Sequence, residues 1–326
     1  MRKRALIHRV VAASLLFAGA AHLPLAQAQE FPSRLIKFVV PFAPGSGTDT
    51  SARYFGKKLS EMTGQTVVVE NKPGANGFIA VRAVLTAPAD GYTVFVGSNS
   101  TLAVNVALFK TLPYDPVADF APLTMMMRSP ALLIVPPASN YKSVAELIAA
   151  ARAQPDKIDY GSGSAGYHLM AELFNDEAKV QTYHVPFKGA ADAITAVASG
   201  NVQMAFADVT GAFELVKGGR LRALAVAADK RIPALPAVPT AAEAGLPGFT
   251  AYTWVGAMVS SKTPKAEVDK LAALLTKIEN LPETREFYER LGAEVMRGGP
   301  EEMRAFQADE IQQWKRIVIK AKVELQ

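Results

Sequence analysis

The sequence predicts an α/β protein of two domains, and three observations lead there. Apolar, β-branched runs alternate with stretches of helical spacing, and small polar loops stand where a run gives way to a helix. The length of 326 residues suits about two domains. Leu35–Phe42 is the first run, ending in the loop Ala43–Gly47, and Asp49–Thr63 continues with Ala52, Phe55, Leu59 and Met62 at helical spacing. Thr66–Val69 reads as a strand, Asn71–Gly77 as a loop and Phe78–Leu85 as a helix. Tyr92–Val96 is a third strand, ending at Gly97-Ser98-Asn99-Ser100. Three strand–loop–helix units in succession predict a parallel sheet covered by helices.

A second α/β unit follows. Its strands are Ala131–Val135, Ile158–Tyr160, Thr182–Val185, Val202–Ala207 and Leu221–Ala227. Between them, Ser143-Val144-Ala145-Glu146 is a capping box opening a helix to Ala153. Helices are also expected over Tyr167–Ala178 and Ala191–Ser199, and an extended loop over Pro233–Pro239. Trp254–Val259 is the last strand. Helices then start at Pro264, Pro282 and Pro300, each proline at or near a first turn. Met303, Phe306, Ile311, Trp314, Ile317 and Val318 mark the apolar face of the last one, expected to pack on the first unit. No repeat, low-complexity tract or linker interrupts the chain. The expected division is residues 1–28 as a signal peptide, 29–130 plus 253–326 as the first domain and 131–252 as the second.

Composition and charge exclude several classes. The chain is 50% hydrophobic and 20% charged, which is globular rather than disordered. It has no cysteine, so disulfides, thiolate metal sites and a cysteine nucleophile are excluded. The formal charge of +5 invites a nucleic-acid reading. Arg2, Lys3, Arg4 and Arg9, however, lie before residue 29 in a stretch with no acid, and without them 31 basic residues face 30 acidic ones. The basic excess belongs to the first segment. That segment has a positive start, a twelve-residue apolar run Val10–Ala21 and the small-x-small triplet Ala26-Gln27-Ala28. The run is too short for a membrane span, which takes about 20 residues. Export to the periplasm with cleavage after Ala28 is expected, leaving 298 residues from Gln29.

Three loops share one design, a strand running into small polar residues that open a helix. The first is Phe42-Ala43-Pro44-Gly45-Ser46-Gly47-Thr48-Asp49, the second Gly97-Ser98-Asn99-Ser100-Thr101, the third Gly161-Ser162-Gly163-Ser164-Ala165-Gly166. Such loops lie at the carboxyl ends of parallel strands, where ligands bind, and helix-start N–H groups make an anion site. Each is equally consistent with a tight turn capped by its own side chains, Thr48 or Asp49 serving the first helix. Candidate ligand contacts are therefore Phe42, Gly45, Ser46, Gly47, Thr48, Asp49, Ser98, Asn99, Ser162, Ser164, Ala165 and Gly166. Asp208, ending an apolar strand, joins them either as an acceptor for a ligand donor or as the cap of the next helix.

Neither nucleotide nor metal chemistry is indicated. The first loop lacks the lysine of a phosphate loop, and Thr50 stands where a dinucleotide fingerprint has its third glycine. His168 and His184, the two histidines after the first segment, have no partner at metal-ligand spacing and read as structural. No G-x-S-x-G presents Ser162 or Ser164 as a nucleophile; Gly163-Ser164-Ala165-Gly166 is a partial match. Arg53 and Arg128 are possible carboxylate clamps, Arg53 being better placed for a salt bridge one turn into the first helix. No cofactor is expected.

Taken in order, several motifs resemble the Bug family, the extracytoplasmic solute receptors of tripartite tricarboxylate transporters. They include Val40-Pro41-Phe42-Ala43-Pro44-Gly45-Ser46-Gly47-Thr48-Asp49, Val69-Glu70-Asn71-Lys72-Pro73-Gly74, Asp90-Gly91-Tyr92-Thr93 and Leu112-Pro113-Tyr114-Asp115-Pro116. His184-Val185-Pro186-Phe187-Lys188-Gly189, Leu221–Val226 and Val238-Pro239-Thr240 continue the match. The resemblance implies a two-domain periplasmic binding protein of type II with the cleft between domains. Its ligand would be a small organic acid, met by main-chain groups, hydroxyls and waters rather than by an arginine. Implied partners are two membrane subunits of the transporter, the receptor itself being a monomer. Ser46 replaces a third glycine usual in the family, and the Tyr160–His168 loop is about two residues shorter than is common there. Both departures fall at the implied carboxylate site. Beside the receptor reading stand an extracytoplasmic sensor, which shares the cleft, and an enzyme, which the missing nucleophile, metal and cofactor motifs disfavour.

Overall fold

The computed structural model describes residues 31–326, of which Arg34–Gln326 form one compact body. The export segment lies outside the described residues. The strands are β1 (Ile36–Val40), β2 (Val67–Asn71), β3 (Thr93–Ser98), β4 (Phe120–Val135), β5 (Asp159–Ser162), β6 (Tyr183–Pro186), β7 (Met204–Asp208), β8 (Arg222–Val226), β9 (Tyr252–Ser260) and β10 (Glu294–Val295). They form one sheet in the order β2-β1-β3-β9-β4-β7-β5-β6, with β8 and β10 also on β4. The outer groups, β2-β1-β3 and β7-β5-β6, pair parallel, as strand–helix alternation requires. The middle, β3-β9-β4-β7, is antiparallel.

β4 belongs to both wings. Phe120–Pro130 pairs with β9, and from Ala131 on the same strand pairs with β7 and β8. Only its end, Ala131–Val135, reads as a strand from sequence, because Pro122 and Pro130 argue against a central strand. The structure accommodates this with register shifts between Pro122 and Thr124 and between Met125 and Met127.

The helices are α1 (Gly47–Thr63), α2 (Phe78–Leu85), α3 (Asn105–Leu108), α4 (Val144–Ala153), α5 (Ala165–Ala178), α6 (Ala190–Ala198), α7 (Val209–Lys217), α8 (Lys265–Glu279), α9 (Pro282–Arg290) and α10 (Pro300–Lys320). A π-helical turn, Ser100–Val104, follows β3. Half of the expected capping box forms at α4: Ser143 Oγ accepts from the Glu146 N–H at 3.2 Å, whereas Glu146 Oε2 accepts from the Lys142 N–H at 2.7 Å, one residue before the cap. At α1 the cap is Ser46, whose hydroxyl accepts from the Asp49 N–H at 3.1 Å, rather than Thr48 or Asp49. Gly64 ends α1 in the left-handed region (φ 69°), a conformation glycine adopts without a Cβ penalty. Among the described residues no helix is long and apolar enough to cross a membrane.

The apolar face of α10 covers the sheet beside β4 and β9. Met303, Trp314 and Val318 are buried, and the Phe306 ring meets Trp254 edge-on at 5.2 Å. Glu310 accepts from both indoles, Trp254 Nε1 at 2.8 Å and Trp314 Nε1 at 3.1 Å, and burial raises its pKa. Trp254→Ala removes a fully buried ring and one of two donors to a buried carboxyl. It should cost about 3–5 kcal/mol in urea unfolding, the usual loss for a large aromatic.

Candidate functional site

Four strands deliver their carboxyl ends to one place. β1 leads through Pro41–Ser46 into α1, and β3 ends at Ser98 and enters the π turn at Ser100. β5 leads through Gly163 and Ser164 into α5, and β7 ends at Asp208, which opens α7. Phe42, Ser46, Gly47, Thr48, Ser98, Ser100, Ser164, Tyr167, Ala190, Asp208 and Thr253 surround a cavity of about 10 Å³. Asp208 is the one charged residue in this lining, and no lysine, arginine or histidine joins it.

Hydroxyls organise the interior. Ser100 Oγ donates to Ser164 Oγ at 2.9 Å and accepts from the Gly166 N–H at 3.1 Å. Its own N–H donates to Ser98 Oγ at 3.2 Å. Tyr167 Oη donates to Asp208 Oδ2 at 2.6 Å, and Thr253 Oγ1 lies 3.5 Å from the same phenol. Burial, reinforced by the Asp208 carboxylate, holds the Tyr167 pKa well above that of a free phenol, so it remains a donor. Asp208 Oδ1 accepts from the Gly211 N–H at 2.8 Å and from the Thr210 hydroxyl, so its carboxylate caps α7 while lining the cavity.

Thus seven of the thirteen sequence-derived candidates line the cavity: Phe42, Ser46, Gly47, Thr48, Ser98, Ser164 and Asp208. The other six, Gly45, Asp49, Asn99, Ser162, Ala165 and Gly166, do not line it. Asp49 turns back into its own loop, accepting from the Gly45 N–H at 3.0 Å, Asn71 Nδ2 at 2.8 Å and Arg53 Nε at 3.0 Å. Asn71 also donates to the Phe42 carbonyl. Arg53 therefore serves this loop, and Arg128 pairs with Glu294 at 2.8 Å over the Tyr252 ring. Asn99 donates to the Tyr252 carbonyl at 3.4 Å. Ala165 is buried in the first turn of α5, and Gly166 lies directly under Ser100, where an added Cβ would come within 2.6 Å of the Ser100 hydroxyl oxygen. Gly47 is equally constrained, its position for a Cβ being 2.7 Å from Asp208 Oδ1.

Ser162 belongs to a separate cluster. Its hydroxyl meets His184 Nε2 at 2.7 Å, and the His184 ring stacks on His168 with centroids 4.2 Å apart. Tyr160 Oη bridges His168 Nδ1 at 2.7 Å and Glu172 Oε1 at 2.6 Å. This serine–histidine pair lacks the orienting carboxylate of a triad, since Glu172 engages Tyr160. Ser100, Tyr167, Ala190 and Thr253 are lining residues absent from the sequence-derived set. Ser100 was within reach, standing in the second polar loop, whereas Thr253 looks like any strand residue.

The match to proteins of known type follows this geometry. Residues 51–323 match the model of the tripartite tricarboxylate transporter family receptor. The chain belongs to that family. Protein BugT of Bordetella pertussis is 34% identical over 298 residues, covering 89% of this chain and 90% of that one. The solved structure of Rpa4515 from R. palustris with adipate is 34% identical, with a TM-score of 0.88 over 91% of this chain and all of that chain (100%). MatC (Rpa3494) from Rhodopseudomonas palustris, with bound malate, is 33% identical, with a TM-score of 0.84 over 88% of this chain and 100% of that one. The family is one of receptors, and the fold expected from sequence is the fold that these solved neighbours share.

Two measurements test the site's construction. Burial lowers the His168 pKa to about 4, and burial with the neighbouring His168 lowers that of His184 to about 4. An unfolded histidine titrates near 6.5, so between about pH 6.5 and 4 the unfolded chain binds more protons. Stability from this pair should fall as pH falls through that window, by up to ~1.4 kcal/mol per unit for each histidine, and His184→Gln should flatten the urea-midpoint profile there. Gly166→Ala should separate the Ser100 hydroxyl from the start of α5. Circular dichroism should show the fold retained, while urea unfolding reveals a loss of about 1–3 kcal/mol, the usual cost of overpacking a buried position.

Proposed function

We propose that this chain is a periplasmic receptor that captures a small organic acid between two lobes and delivers it to the membrane subunits of a tripartite tricarboxylate-type transporter. Export through residues 1–28, with cleavage after Ala28, brings it there. The lobes are residues 29–130 with 253–326, and residues 131–252. Support for this division comes from β4 and β9, which pass together from one wing towards the other and end their pairing at Pro130 and Tyr252. Closure about these two strands would bring the β1 and β3 ends against the β5 and β7 ends.

The observation that carries the reading is a cavity lined by hydroxyls and helix starts with no cationic side chain. α1 and α5 both begin at it, after Ser46 and Ser164. A helix N-terminus carries about half a positive charge and contributes up to ~2 kcal/mol to a partly buried anion. Two of them, with hydroxyl donors, suffice for a carboxylate without a buried guanidinium. The adipate and malate held by the two similar structures agree with this chemistry.

A thermal-shift screen of mono-, di- and tricarboxylates should find an acid that adds about 2.7 kcal/mol of stability at 100 times its Kd. With that acid, Thr48→Val should cost about 1–3 kcal/mol of binding, the penalty for an unpaired buried group. Arg53→Gln should cost much less. Lost binding in a folded Arg53→Gln protein, with Thr48→Val unaffected, would replace this account with an arginine clamp.

A further inference from the structure

The end of α10 reaches across to the other lobe. The helix is anchored in the first lobe by Met303, Trp314 and Val318. Lys320, its last residue, meets α5 of the second. Its Nζ donates to Glu177 Oε1 at 2.5 Å and lies 3.5 Å from Asp176 Oδ2. The residues beyond it turn back onto the first lobe. Lys322 takes a left-handed φ of 52°, and Val323 packs against the core, its N–H donating to the Val318 carbonyl at 3.0 Å. Gln326 ends the chain beside α3. Its N–H donates to the Leu108 carbonyl at 2.9 Å, and its carbonyl accepts from the Lys110 N–H at 2.8 Å. The tail is fastened to one lobe by main-chain bonds and to the other by a single side chain.

Local chemistry does not account for Glu177. It stands in the last turn of α5, where the helix dipole disfavours a carboxylate. Asp176 has a cation close by in sequence, Lys179 at 2.9 Å, whereas Glu177 meets Lys320 from 143 residues away. The opposite end of α5 is tied to the first lobe as well. There the Gly166 N–H, an orphan donor of the first turn, donates to Ser100 Oγ at 3.1 Å. About 17 Å of helix separates the two ties. The crossing strands meet α5 near its cavity end, where Thr253 Oγ1 lies 3.5 Å from Tyr167 Oη. A rotation of the lobes about those strands therefore displaces the Glu177 end most.

We infer that Lys320–Gln326 is an ionic latch that holds the two lobes closed and sets how readily the receptor opens. This rests on the two-lobe reading above and adds a salt-sensitive control to it. The Lys320 side chain is 57% exposed, so salt screens the pair. Native-state hydrogen exchange by NMR on the ligand-free mature chain tests it at the Gly166 amide, which loses its cross-lobe acceptor when the cleft opens. Lys320→Glu should speed exchange there about tenfold. Raising sodium chloride from about 0.05 to about 0.5 M should speed it about threefold in the unaltered protein. Glu177→Lys should act as Lys320→Glu does, although it improves the charge at the end of α5. The double variant should return exchange to within about twofold of the unaltered protein. Unchanged Gly166 exchange in folded Lys320→Glu protein, or a double variant no slower than either single one, overturns the latch. The acid screen judges the receptor reading separately. An acid that binds while Gly166 ignores both substitutions leaves the receptor without its latch. A latch that responds in a chain binding no acid removes the receptor reading alone.

Discussion

The contact between the Ser100 and Ser164 hydroxyls joins the end of β3 to the end of β5, two strands from opposite wings of the sheet. Much of the site's shape follows from this bond. Buried hydroxyls need partners, and those of Ser46, Ser98, Ser100, Ser164 and Tyr167 find them across the cavity or at a helix start. Gly166 is glycine because Ser100 reaches over it, and Ser164 does not cap its own helix because its hydroxyl is engaged with Ser100. Tyr167 and Asp208 repeat the arrangement one turn deeper, tying α5 to the start of α7. An anion entering such a site replaces bonds between neutral donors with charge-assisted ones, which are stronger. No cation is required, and none lines the cavity.

Local chemistry made the loops legible. A glycine- and serine-rich stretch after an apolar run places a helix start at a strand end, and α1 and α5 begin where that rule puts them. Side-chain direction was harder to read. Ser162 looks like part of the third loop, yet β5 continues through it, and strand alternation sends its side chain to the face shared with Tyr160, where His184 takes it. Asp49 follows two cavity residues and turns away, because Arg53 and Asn71 hold it. The first is one helical turn on, and the second is 22 residues distant with nothing local to announce it. Thr253 enters the lining because β9 passes beside α5, a tertiary fact without a local signal.

β4 shows the same limit at the scale of the fold. A sixteen-residue strand with prolines at 122 and 130 breaks the local rule for a central strand. It survives through its register shifts and through β9, whose nine residues run alongside it. That exception sits where the two wings join, at the segment on which lobe movement depends in the receptor account.

The most direct test of the central claim is the crystal structure of the mature chain with an acid bound. The account predicts a carboxylate of that acid among the Ser46, Thr48 and Ser164 donors at the starts of α1 and α5, with no guanidinium or ammonium beside it. A carboxylate ion-paired to Arg53 or Arg128, or seated outside the cavity that Phe42 lines, would contradict it.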